Sequence, residues 1–133
     1  MTTQHAILDA HGVTIPAHLT AQADVPLLAT MQRQGDVLVV PARPGVDQGN
    51  EIPAEGIPVV RGEAGGNTHL LVGTGTWHPI PSSSGLILGT LHVPENGEAY
   101  LLHPEHGATG LAPGCYTIRR QREQADEIRM VAD

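Results

Sequence analysis

The chain has 133 residues, enough for one domain with its own core and too few for two. Sixteen Gly and eleven Pro exclude long helices, and one Cys excludes an intramolecular disulfide or a Cys-rich zinc site. Fourteen acids against seven bases leave a formal charge of -7, which disfavours broad attraction of the molecule to nucleic acid or to an anionic membrane.

The opening MTTQHAILDAHG has neither the basic nor the apolar stretch of a secretory leader, and runs such as Val37 to Val40 cannot span a bilayer. A reducing cytoplasm is the expected compartment, with no membrane partner. Residues 1–30 show no sustained period, because Pro16 and Pro26 break two modest apolar stretches. They read as an N-terminal arm with one strand at Val13 to Ile15, placed to pack on a neighbouring chain. Residues 31–133 read as a single β domain.

That domain opens with the turn Gly35-Asp36 and the β-branched run Val37 to Val40, which Pro41 ends. Ala42 to Glu55, with two Pro and two Gly, reads as a long surface loop. Ile57 to Arg61 and Thr68 to Val72 form the arms of a hairpin. Gly75-Thr76-Trp77-His78 and Gly89-Thr90-Leu91-His92 form those of a second, around Pro81 to Gly85. Pairing Ile80 with Leu86 sets Trp77 opposite Gly89, where the indole covers the bare glycine. Leu86 to Val93 reads as a strand apolar on both faces. Three further strands are expected at Ala99 to Leu102, Ala108 to Leu111 and Cys115 to Arg119, split by compact turns. Seven or eight short strands make an all-β domain, a small barrel or a jelly-roll-like sandwich, with a charged C-terminal tail from Arg120 to Asp133.

Three stretches carry a resemblance: Gln34-Gly35-Asp36 running into Val37 to Pro41, Gly62 to His69, and HPEHGATGLAPGCYTIRRQRE from His103. Together they resemble an uncharacterised family of small bacterial proteins, over residues 31–133, with no activity attached to it. A weaker likeness is to cupins, jelly rolls whose His and Glu ligands line the mouth of a barrel. Here His92 stands alone where a cupin has His-x-His, so Glu95 or Glu98 would have to complete the set.

His103 and His106 are the best candidate pair, since Pro104 at the second position of a type I turn brings the flanking residues within about 7 Å. Two imidazoles with Glu105 beside them suit a divalent transition metal, with the further ligand drawn from His69 or His92. The plainer expectation for the pair is an exposed turn, because two ligands are too few for structural zinc. Cys115, after a Pro-Gly turn, reads as core packing rather than a nucleophile, and Ser82 to Ser84 as a hairpin tip.

Arg119, Arg120, Arg122 and Arg129 form the one basic patch, suited to phosphates, an anion or a partner. Interleaved Glu123, Asp126 and Glu127 favour ion pairs instead, and only Trp77, Tyr100 and Tyr116 exist to stack on bases. The first functional reading is therefore a non-enzymatic homo-oligomeric β-domain that serves as a binding or assembly module. The second is a cupin-like metal-dependent enzyme using the His cluster, and the third an RNA-binding accessory protein using the Arg cluster.

Overall fold

Strict alternation builds the faces of this domain. In Val37–Pro41 (β3) Val37 and Val39 are buried while Leu38 and Val40 face outward, and in Ile87–Val93 (β8) Gly89, Leu91 and Val93 turn inward against outward Thr90 and His92. The computed structural model describes residues 2–13, 24–45, 49–61, 68–81 and 86–121. Most of the expected Val13 to Ile15 strand lies outside the described residues, as do Gly62 to Asn67, Ser82 to Gly85 and the tail carrying Arg122 and Arg129.

Among the described residues eleven strands form two sheets, eight of them with four residues or more, which matches the expected count; the extra ones are very short. One sheet orders Leu27–Leu28 (β1), Gly107–Leu111 (β10), Ala99–His103 (β9), His69–Gly73 (β6) and Ile57–Val60 (β5). The other orders Gln32–Gln34 (β2), β3, Gly114–Arg120 (β11), β8, Thr76–Pro79 (β7) and Asn50–Glu51 (β4). The sheets stack as a sandwich around Val39, Leu71, Trp77, Leu91, Leu101, Tyr116 and Ile118. Both keep open edges among the described residues, so of the two expected architectures the closed barrel is not the one formed.

The arm does more than sequence periodicity implied. Gln4–Ala10 (α1) is a short helix whose N-cap Thr3 accepts a hydrogen bond from the Ala6 amide. Its Leu8 joins Val25, Val72, Tyr100 and Leu102 in a second apolar cluster on the outer face of the five-stranded sheet. The arm then adds β1 to that sheet, parallel to β10. As a result β9, not β8, is the strand buried on both faces: all five of its residues are buried, whereas His92 on β8 is exposed. The physical reason is that α1 roofs one sheet and no helix roofs the other among the described residues.

The β7–β8 hairpin forms in a register two residues away from the expected one, with Trp77 opposite Leu91 and Pro79 opposite Gly89. A shift of two preserves which face each side chain occupies, so the indole still lies over Gly89. A Cβ at that glycine would come within 2.5 Å of Trp77 Cζ2. Among its described residues the Ala42 to Glu55 loop holds one two-residue strand, β4, which pairs with β7.

Candidate functional site

Two tight turns and two strand ends meet at one end of the sandwich. Gln34 and Val37 pair across β2 and β3, leaving Gly35 and Asp36 as a two-residue connection. Gly35 has φ +60° and Asp36 does not share a positive φ, the pattern of a II′ turn with Gly first. From the other sheet come His69 at the start of β6 and His103 at the end of β9. Each has the same parity as an inward leucine, Leu71 and Leu101 respectively, so both rings enter the layer between the sheets. The β9–β10 turn carries His106, and Arg120 ends β11 opposite Val37.

Gln34 organises this end. Its Nε2 donates to the carbonyls of Leu101 at 2.7 Å and Gly107 at 3.0 Å and to Thr109 Oγ1 at 3.2 Å, which fixes the amide so that Oε1 faces His69 Nδ1 at 2.9 Å. His69 Nδ1 must therefore donate, and in the neutral ring Nε2 bears a lone pair. That atom faces Asp36 Oδ1 at 3.5 Å, while Asp36 Oδ2 accepts from Arg120 Nε at 3.1 Å. Burial, followed by the neighbouring His103, lowers the His69 pKa from 6.5 to about 4, although the Asp36 carboxylate opposes this. The ring is neutral at physiological pH.

The three imidazoles lie in a row, His69 to His103 at 4.4 Å between centroids and His103 to His106 at 4.7 Å. The turn thus brings His103 and His106 together as the sequence suggested, but His103 is buried at 3 % exposure rather than solvated. Its Nδ1 accepts from the amides of Glu105 and His106, so that lone pair is spent on shaping the turn. His106 is exposed and reaches over Gly35: a Cβ there would meet His106 Nε2 at 3.0 Å and His69 Cε1 at 3.5 Å.

A family model described as a domain of unknown function, DUF8820, matches residues 33–121. The chain belongs to this family. No curated protein and no solved structure matches it. The matched span of the DUF8820 domain begins one residue before Gln34 and ends one after Arg120, so it takes in the whole polar network and leaves out α1 and β1.

His92, the fourth histidine expected in a cluster, is elsewhere in the DUF8820 domain. It pairs with Cys115 across β8 and β11, five residues along β11 from Arg120, about 17 Å away at strand rise. With Cys115, His78, Thr90, Thr117 and Arg43 it lines a cavity of about 250 Å³ on the outer face of the six-stranded sheet. Cys115 is accordingly half-buried beside that cavity instead of in the core. Arg119 and Arg120 are both exposed but point to opposite faces of β11, and Arg120 is tied to Asp36, 84 residues earlier, while the tail acids expected to pair with the arginines lie outside the described residues. Sequence reasoning missed Gln34 and Asp36. The available signal was parity, since Gln34 pairs with inward Val37 and must itself point between the sheets.

Proposed function

We propose that this domain is a non-enzymatic, homo-oligomeric binding module whose ligand is taken at the end closed by Gln34, Asp36, His69, His103, His106 and Arg120. The carrying observation is where polar groups are buried: among the described residues the buried polar side chains are Gln34, His69 and His103, all in this one network. Capping a sandwich with apolar side chains avoids the desolvation that such groups incur, so their concentration at one end favours a recognition role. Half-exposed Asp36 and exposed His106 give that end access to solvent. A binding role is favoured over catalysis because the nucleophile-type groups are committed or distant: Thr109 Oγ1 accepts from Gln34, and Cys115 lies on the outer face of the other sheet.

A second copy is the partner assigned to the arm side. The large hydrophobic side chains exposed among the described residues, Leu27, Leu28 and Met31, fall in one five-residue stretch on the outer strand β1 and just after it. An edge strand that meets its own copy about a two-fold axis is self-complementary. Light scattering after size-exclusion chromatography should give a dimer or larger, reduced by Met31→Glu; a monomer at all micromolar concentrations removes the oligomer from the reading.

The site itself is tested by NMR of the histidine rings during titration with a panel of small metabolites and metal salts. Binding that shifts the His69 and His106 ring signals is expected. Ligands that perturb only His92 and His78, or that are chemically converted, would overturn the assignment.

A further inference from the structure

We propose that the ligand of this end is a divalent first-row transition ion of the zinc type, held by His69 Nε2 and Asp36 Oδ1 with His106 as the third protein ligand. This inference rests on the binding-module reading above and names its ligand class. Its basis is geometric. Because Gln34 Oε1 takes the proton of His69 Nδ1, Nε2 is the ring nitrogen left for a ligand, and it faces Asp36 Oδ1 across 3.5 Å, a gap in which one cation would meet both atoms.

The separation itself suits an ion. Metal bonds of about 2.0–2.1 Å to imidazole nitrogen and carboxylate oxygen at a tetrahedral angle place the two ligand atoms about 3.4 Å apart. The observed 3.5 Å between His69 Nε2 and Asp36 Oδ1 is therefore already the edge of such a tetrahedron. A direct N–H···O bond between the same atoms would be shorter, about 2.7–2.9 Å for a charged pair.

The surroundings supply the remaining parts. Gln34 is an outer-shell partner for a ligating imidazole, fixing the tautomer through the nitrogen that does not bind. Arg120 holds the other carboxylate oxygen and so leaves Oδ1 for the ion. His106 Nε2 hangs over Gly35, where a side chain would block the approach of the two rings. Among the described residues no three His, Cys, Asp or Glu side chains already converge on one point, so the third ligand is recruited. An exposed ring in a turn does this by rotating about its side-chain bonds. His103 is not a ligand in this scheme, because its Nδ1 accepts from two backbone amides and the neutral ring therefore carries its proton on Nε2. Two imidazoles and one carboxylate leave a fourth position for water or for a group from outside the protein.

The test uses the full chain without any affinity tag, stripped with chelator and titrated with Zn²⁺ and with Co²⁺, whose visible absorption reports its coordination. One ion per chain at micromolar affinity or tighter is expected, with a shift of His69 Nε2 in ¹⁵N spectra. Asp36→Asn and His106→Ala change accessible side chains, so folding is preserved, and each should weaken binding by about tenfold or more. His92→Ala should leave it unchanged. Binding only at millimolar concentration, or binding indifferent to Asp36→Asn and His106→Ala, overturns the proposal. If metals fail while metabolites still move the His69 and His106 ring signals, only the ligand class is wrong; if neither moves them, the binding-module reading falls as well.

Discussion

Replacing Gln34 by Met keeps the length of a side chain that is only 2 % exposed and removes every polar contact it makes. The change removes one hydrogen bond each from the Leu101 and Gly107 carbonyls and leaves the His69 Nδ1–H without its acceptor, while the half-buried Thr109 hydroxyl can rotate away. Two lost hydrogen bonds at about 1 kcal/mol each and one stranded buried donor at about 1–3 kcal/mol cost about 3–5 kcal/mol, a large part of the 5–15 kcal/mol that holds a typical domain together. Equilibrium urea unfolding followed by Trp77 fluorescence reads this directly. With a slope of about 1.5 kcal/mol per molar urea, a loss of 3 kcal/mol lowers the midpoint by about 2 M at constant slope. Gln34→Glu sharpens the test, because it sets a carboxylate oxygen against the Leu101 and Gly107 carbonyls. It should be worse than Met at neutral pH and recover as the carboxyl is protonated. A Gln34→Met protein within about 1 kcal/mol of the parent, or one less stable than Gln34→Glu at pH 7, would refute the view that this amide organises the end of the sandwich.

Three other outcomes follow from the same geometry. Gly89→Ala drives a Cβ to within 2.5 Å of Trp77 Cζ2 and 2.6 Å of the His78 carbonyl; overpacking of this kind costs about 1–3 kcal/mol and should shift the emission of the single tryptophan to the red, while unchanged emission would count against the register. In metal-free protein the folded-state pKa of His69 lies near 4, below its unfolded value of 6.5, so the unfolded chain binds the extra proton between these values and stability rises with pH across that window. The His69 contribution to that rise, about 3 kcal/mol at most, should disappear in His69→Gln; a flat profile from pH 4 to 6.5 in the parent would contradict it. Arg120→Gln removes an exposed pair with Asp36 and should cost no more than about 1 kcal/mol, less in high salt. A loss of several kcal/mol would mean that the pair does more than hold one carboxylate oxygen.

Much of the fold was legible because alternation and turn chemistry act locally. Val37 to Val40, the two hairpins and the three last strands all stand where β-branched runs and Gly or Pro punctuation put them. Strands of two residues, β1 and β4, carry no period and depend on partners far along the chain. The helix α1 was hidden for a related reason: it is held by Leu8 against Tyr100 and Leu102, contacts that a local window does not contain. The same helix explains why β9, and not the expected β8, is the strand buried on both faces. Of the site, the three histidines that converge were named from the sequence, yet His92 was grouped with them although it alternates with inward Leu91 and Val93 and so must face away from the core. Gln34 and Asp36 passed as strand and turn residues because their significance lies entirely in what approaches them from the other sheet.

The polar end is assembled from residues 34–36, 69, 103–106 and 120, contributed by a hairpin turn and a strand end of one sheet and by a strand start and a second hairpin turn of the other. No contiguous stretch of chain holds more than a fragment of it. Contacts of such long range need both sheets in place and stacked on one another before they can form. The network therefore acts as a certificate of completed folding: a chain with either sheet unformed cannot present the proposed ligand site. A ligand bound at this end would favour the finished sandwich over every partly folded form by mass action, and so would also guard the fold.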